Sequence, residues 1–387
     1  MIEVLYTFFI FSGYIKSYFP IWNVYLPIDF TLFFMVLLII VSIKNYKLIS
    51  FYYFRYISLL FLFYTWLIFT LIYTSSETYS LTKVFLFLTN IIAFIYPLIL
   101  YKKFSIESFF KYSLVITSVL NIYFVLYILP RIYLNDLFYT IHGNYLTVSL
   151  LSGLNILVLL IYKIKFKYTS FNYIFLIINF MTLFLSGGRS GLVFSLIILL
   201  LFSLTKVKLK KIKPIRIFQI LIFLLIIIYI SYVIFEEYSD LFNRSFSRLS
   251  LIFDALSGKD GGNSIDHRLH MISFSIENIF SSIHSFIFGS GIGSFSYEYT
   301  GIDGRGYPHN IVLEILFESG FIGLILFMSF LFYTISNKYQ NVFGWIFLYL
   351  TLNALKSNGL VDLRLYFSIL ALMLIYSKKK QLKGKKC

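Results

Sequence analysis

Apolar residues run along this chain in blocks close to the length of about 20 residues that carries a helix across a hydrocarbon core of about 30 Å. Short clusters of charge, Gly or Pro separate the blocks. Read between these breaks, the pattern predicts about twelve helices, near residues 2–15, 27–43, 51–73, 82–101, 111–129, 144–162, 170–185, 190–205, 215–235, 310–335, 340–355 and 361–377. The first, seventh, eighth and eleventh are short for a crossing, and 170–205 also reads as one broken hairpin. The expected fold is all-α: a single polytopic integral-membrane domain over residues 1–387, with about 12 transmembrane helices. No basic stretch or small-residue cleavage site accompanies the first block, which reads as a retained span and not a removable signal peptide.

One segment breaks the pattern. Residues 236–308, between the ninth and tenth spans, form a long loop where every other loop is short. Loops beyond about 12–15 residues tend to be functional or disordered, and this one is not disordered by composition. Leu241–Leu256 and Ile265–Phe288 carry apolar residues at helical spacing (Leu269, Ile272, Ile276, Ile279 and Ile283 in the second), separated by the turn Gly258–Asn263. Two amphipathic helices lying on or near a membrane face are expected.

Charge orients the helices. With both termini inside, the inner segments hold Lys44, Lys47, Arg55, Lys102, Lys103, Lys111, Lys163, Lys165, Lys167, the run Lys206 to Arg216, Lys338 and the lysines of the C-terminal tail. The short outer loops carry only Lys16, Lys83, Arg131, Arg189, Lys356 and Arg364, and only Glu3 and Glu107 among the acidic residues fall inside. This is the positive-inside asymmetry. It places both termini in the cytoplasm and the long loop outside. The net charge of +16 is therefore a topology signal and not a nucleic-acid footprint. Composition agrees: 59% of residues are hydrophobic and 13% charged, with 46 Phe and 33 Tyr, far from the roughly 25% charged of a soluble domain. The single cysteine, Cys387, excludes a disulfide framework and a thiolate metal site.

The candidate chemistry lies in or beside the long loop. Four of the five histidines, His267, His270, His284 and His309, fall in it or at its end. His309 and Asn310 open an apolar helix after Pro308, where a helix N-terminus is able to hold an anionic group. His267 and His270 stand three apart, as metal ligands on a helix do, but without a third ligand they read as a polar helix face; no metal or cofactor is expected. Ser186-Gly-Gly-Arg189-Ser puts an arginine in a tight turn between two spans, either as a snorkelling charge or as an anion clamp. Gly289-Ser-Gly291-Ile-Gly293 lacks the setting of a dinucleotide fingerprint and reads as a tight turn. Glu314 and Glu318 sit inside the tenth span, where ionisable groups are costly and usually paired; Arg364 is the expected partner. Gly320 and Gly323 are expected to let a neighbouring helix approach closely.

The run His309-Asn310-x9-Gly320-x-x-Gly323 resembles the signature of the O-antigen polymerase and O-antigen ligase superfamily of bacterial surface-polysaccharide membrane proteins. Three further features are similar to that family: the Ser186 to Gly191 turn with Arg189, His267-Arg268 at the start of an amphipathic helix, and the glycine-rich segment Phe288–Phe295 before the histidine. The detailed resemblance covers residues 186–323; the N-terminal half agrees in topology alone. The resemblance implies a metal-independent glycosyltransferase at the external face of the bacterial inner membrane, using a polyprenyl-diphosphate-linked glycan. It implies His309 as base or acceptor-orienting group, Arg189 and Arg268 as holders of the diphosphate, and Asn310 and His267 as substrate contacts. Its implied partners are the lipid-linked oligosaccharide, the bilayer, and a chain-length regulator or other polysaccharide-assembly proteins.

Two activities remain within the resemblance: a polymerase joins repeat units on the lipid carrier, and a ligase moves the finished chain to a lipid A core. An Arg-x10-Gly loop signature described for polymerases is absent, since Arg131 to Gly143 misses by one residue. Composition typical of polysaccharide-cluster proteins favours the polymerase. A flippase or other transporter is the competitor from another class. It is disfavoured because the spans carry few charges and the polar chemistry concentrates in one loop, whereas transporters place polar sites near the midplane.

Overall fold

The computed structural model describes residues 2–44, 51–142, 144–164, 166, 168–206, 263–336 and 341–384. The expected ninth span (215–235) and the amphipathic helix expected over Leu241–Leu256 lie outside the described residues. Among those described, all regular structure is helical. In chain order the helices are α1 (Ile2–Lys16), α2 (Phe30–Lys44), α3 (Phe54–Phe69), α4 (Tyr79–Ile99), α5 (Ile106–Tyr123), α6 (Leu129–Tyr133), α7 (Leu137–His142), α8 (Tyr145–Leu157), α9 (Thr169–Leu185), α10 (Arg189–Lys206), α11 (Asn263–Ile279), α12 (Ile283–Phe288), α13 (Ser294–Thr300), α14 (Ile311–Ile335), α15 (Asn341–Ser357) and α16 (Arg364–Gly384).

Five helical stretches are long and apolar enough to cross a membrane: Phe54–Ile72, Tyr79–Ile99, Ile106–Ile132, Tyr145–Tyr162 and Ile311–Ile335. They fall on the third, fourth, fifth, sixth and tenth expected spans. The shorter apolar helices Phe30–Ile43, Ser170–Leu185, Arg189–Thr205 and Val342–Ser357 fall on the second, seventh, eighth and eleventh. At 1.5 Å per residue, a helix of about 15 residues reaches little over 20 Å, so these have the apolar character of a span without its full length.

Two compact units divide the chain. One comprises Met1–Lys16, Leu26–Tyr112 and Gly262–Cys387, and the other Ser17–Tyr25 and Ser113–Gly261. The second unit is held by amides and hydroxyls inside its helices. Asn179 Nδ2 donates to Ser118 Oγ at 2.8 Å, Asn155 Nδ2 to Thr117 Oγ1 and to Asn179 Oδ1 at 2.8 Å each, and Asn121 Nδ2 to Ser152 Oγ at 2.8 Å. Every one of these side chains is buried. An amide in an apolar environment is stable only when hydrogen-bonded, and here partners on α5, α8 and α9 satisfy one another and fix the register of the three helices. The expectation that polar chemistry concentrates in the long loop is thus corrected: neutral polar groups lie deep among the helices as well.

The first unit corrects four further expectations. Lys83 is not a loop cation. It lies in the second turn of α4, 1% exposed, and its Nζ donates to Glu314 Oε1 at 2.5 Å and Glu318 Oε1 at 2.6 Å. Glu314 and Glu318 therefore pair with Lys83 and not with Arg364, which turns to α1 and donates to the Phe9 carbonyl at 2.9 Å and to Ser12 Oγ. The two carboxylates stand four apart on one face of α14, so a single ammonium serves both.

Gly320 is not simply a packing contact. It adopts φ 65° and ψ −170° and breaks α14 into two rods. The carbonyls freed there are taken up by other segments: Phe317 accepts from Ser290 N at 2.8 Å, Glu318 from Gly291 N at 3.0 Å, and Ser319 from the Trp66 indole N–H at 2.9 Å. The turn Gly289–Gly293 is confirmed as a turn, and its use is to fill this break. Its backbone approaches so closely that a Cβ on Gly289 would stand 2.6 Å from Gly320 N, and one on Gly320 would overlap the Ile287 carbonyl. Broken backbone at membrane depth is tolerated only when buried in protein with its polar groups satisfied, and the glycine turn meets that requirement. The amphipathic helix expected over Ile265–Phe288 is accordingly split into α11 and α12, so that α12 reaches the break.

Candidate functional site

The segment 305–310 leads into α14. His309 has φ 55°, a left-handed conformation uncommon for a residue with a side chain. Asn310 then turns extended, and its Oδ1 accepts from Val312 N at 2.9 Å and Leu313 N at 3.2 Å. Asn310 is therefore the N-cap of α14, which satisfies amides that the first turn leaves without partners. His309, one residue earlier, is aimed by that cap.

The ring of His309 meets Tyr307 edge-on, with centroids 4.7 Å apart, and takes a hydrogen bond with the Ser357 backbone. The Tyr307 hydroxyl donates to the Ser357 carbonyl at 3.2 Å. Around them the turn preceding α16 is tied down repeatedly. Arg305 Nη2 donates to both oxygens of Asp362 at 2.7 and 2.6 Å, Leu360 N donates to Glu314 Oε2 at 2.7 Å, and Asn90 Nδ2 donates to the Leu360 carbonyl at 2.8 Å. The buried triad thus does more than neutralise charge, because Glu314 also holds Leu360, three residues beyond the Ser357 backbone that partners His309.

His267 and Arg268 occupy the first turns of α11, which packs on α14 through the cluster Ile279, Phe295 and Phe317, with Phe274 against it. The charge of Arg268 is felt by both His309 and Tyr307. Among the described residues no carboxylate pairs with Arg268. His267 is exposed, its ring 6.2 Å from that of Tyr299.

Burial lowers the His309 imidazole below its ordinary value, and Arg268 and His267 add to this, against the Ser357 hydrogen bond. The ring is therefore biased to the neutral form. Its Nδ1 has no hydrogen-bond partner among the described residues. Burial, followed by the Asp362 carboxylate, pushes Tyr307 up to about 12, so it remains a hydroxyl. Two carboxylates nearby in sequence are committed elsewhere. Asp303 is held down at about 2 by Ser76 Oγ at 2.6 Å and the Thr78 amide at 2.8 Å, capping the start of α4. Glu298 is raised by burial and accepts from Asn278 Nδ2 at 2.9 Å.

Four of the five expected site residues, His309, Asn310, Arg268 and His267, therefore lie in one unit, with the His309 and Arg268 charges coupled. Arg189 belongs to the second unit, at the first residue of α10. The turn before it is set by contact with α8: Ser149 Oγ donates to the Gly188 carbonyl at 2.5 Å, and a Cβ on Gly188 or Gly191 would overlap Ser149. Tyr307, Arg305, Asp362 and Lys83 were not legible as site residues. The signal for Lys83 was present in the Glu314 and Glu318 spacing, which demands a buried cation.

Residues 174–328 match the family model described as O-antigen ligase. Over this stretch the chain is similar to the O-antigen ligase and polymerase superfamily. The superfamily match runs from α9 through α14 and contains Arg189, His267, Arg268, His309 and Asn310. No curated protein matches the chain.

Proposed function

We propose that the chain is a bacterial surface-polysaccharide polymerase of the O-antigen type, joining polyprenyl-diphosphate-linked oligosaccharide repeats at the external face of the inner membrane. The observation that carries the reading is a His309 ring biased to the neutral form beside the Arg268 guanidinium, inside the superfamily match. Transfer forms a bond from an acceptor hydroxyl oxygen to the anomeric carbon of the donor and breaks that carbon's bond to the diphosphate. The electron pair leaves with the lipid diphosphate, and the hydroxyl proton passes to His309 as base. Arg268 meets the charge that grows on the departing diphosphate, for which a guanidinium's paired donors are suited. Arg189 keeps the diphosphate-binding role that the resemblance gives it. His267 lines the approach, and Asn310 fixes the His309 backbone.

A ligase, moving the finished glycan from the carrier to a lipid A core, is the second reading, favoured by the description of the matching family model. Substitution separates the outcomes. His309→Ala is expected to reduce transfer by about 10²–10⁴-fold, the usual contribution of a positioned base, and Arg268→Ala by about 10²–10³-fold, the usual loss of one donor to developing charge, each at unchanged protein level. A gel of the surface glycan then shows core plus one repeat for a polymerase, and bare core with carrier-linked polymer for a ligase. Wild-type glycan from both variants overturns the proposal.

A further inference from the structure

None of residues 311–320 of α14 is exposed, whereas an exposed apolar face begins at Phe321 and continues through Ile325 and Phe332. In a helix able to cross a bilayer, such a face is the one turned to lipid. The preceding ten residues, roughly 14 Å of helix, pack among α3, α11, α12 and α13.

The lipid-facing edge does not stop at α14. Phe286 of α12 stacks on Phe321 with centroids 5.4 Å apart, and Phe280 stacks on Phe286 at 5.6 Å. Phe280 is 69% exposed and Ile283 is 80% exposed, at the turn between α11 and α12. The apolar surface thus runs continuously from the span onto the loop. The turn's polar groups are satisfied locally: Ser281 Oγ donates to the Asn278 carbonyl at 2.7 Å, and Ser282 Oγ accepts from Ser285 N at 3.0 Å. On the other flank Trp66 of α3 lies at the same level, its ring 6.2 Å from that of Phe288 and its N–H on the Ser319 carbonyl. Tryptophan with an apolar body and a satisfied polar end is typical of the membrane boundary.

We propose that the turn Phe280–Ile283 together with α12 is seated in the boundary layer of the bilayer, so that the loop carrying Arg268 is anchored to lipid through Phe280, Ile283 and Phe286. The partner is a lipid surface, identified by the continuity of this patch with the exposed face of a candidate span. The inference depends on the chain crossing a membrane and not on glycan transfer, so either can fail while the other stands.

The test uses the full chain with Cys387→Ser, reconstituted in phosphatidylcholine nanodiscs. An environment-sensitive fluorophore is attached at Ile283→Cys, at Phe280→Cys, or at Ile302→Cys, which is 68% exposed on the polar part of the loop. Labels at 280 and 283 are expected to emit blue-shifted light, to lose fluorescence to lipids carrying a nitroxide near the headgroup, and to resist aqueous iodide. The label at 302 is expected to behave in the opposite way. Iodide quenching at 280 and 283, or no quenching there by either agent, overturns the proposal.

Discussion

At the scale of single residues, the site depends on keeping one imidazole neutral and one ammonium saturated. His309 lies below its ordinary value, first through burial and then through Arg268. In the proposed mechanism the neutral ring is the base, so activity is expected to rise with pH along a limb that lies below the ordinary imidazole value of about 6.5. A positive neighbour disfavours a second positive charge, so Arg268→Gln moves that limb upward, while Arg268→Lys leaves it near its original place. A limb in Arg268→Gln that stays still or moves down refutes the coupling. Lys83 offers a second test. Removing one partner of a buried ion pair strands the other charge and costs about 3–5 kcal/mol. Lys83→Met is expected to lower thermal stability in detergent sharply, and the triple variant with Glu314→Gln and Glu318→Gln to recover part of the loss. Sequence reading singled out His309 and Arg268 as candidates because each sits in a short local motif. It misplaced Lys83 because the partners lie 231 and 235 residues away, and no local window joins them.

At the scale of elements, the decisive one is α14, whose two rods meet at Gly320. A single Gly in an apolar run reads as a tolerated helix residue or a packing contact, at roughly 1 kcal/mol relative to Ala. Gly323 is a packing contact of the second kind: it keeps a helical φ, and an added Cβ would overlap the Ser319 side chain and approach the Trp66 ring, with no backbone in its way. Gly320 does not, because the segment that requires the break, 287–291, is the end of α12 and the glycine turn after it. Gly320→Ala places a Cβ both at φ 65° and on the Ile287 carbonyl, and is expected to destabilise by at least about 1–3 kcal/mol. Gly323→Ala, at helical φ, is expected to cost less. Melting curves of the two variants compare them directly, and equal midpoints would contradict the role given to the break. The helices themselves were largely legible, since apolar run length is a strong signal. The division of the loop helix into α11 and α12 was not, because apolar spacing continues through Phe280 and Ile283 while the backbone turns to reach α14.

At the scale of the whole molecule, the orientation proposed from charge asymmetry is open to test. An alkaline phosphatase domain inserted at Gly301, where nothing lies within 4 Å of an added Cβ, is expected to be active, and a fluorescent protein fused after Cys387 is expected to glow. The reverse pair of results would invert the topology. The seam between the glycine turn and the broken helix has a consequence for heredity. Its edges lie at 287–291 and 317–320 and approach so closely that a Cβ on Gly289 or on Gly320 would overlap the backbone opposite, so each edge requires the glycine of the other. A recombination crossover between residues 293 and 317 would unite edges from different parents. Such a chimera is expected to melt below both parents, and a midpoint equal to theirs would contradict the coupling of the two edges.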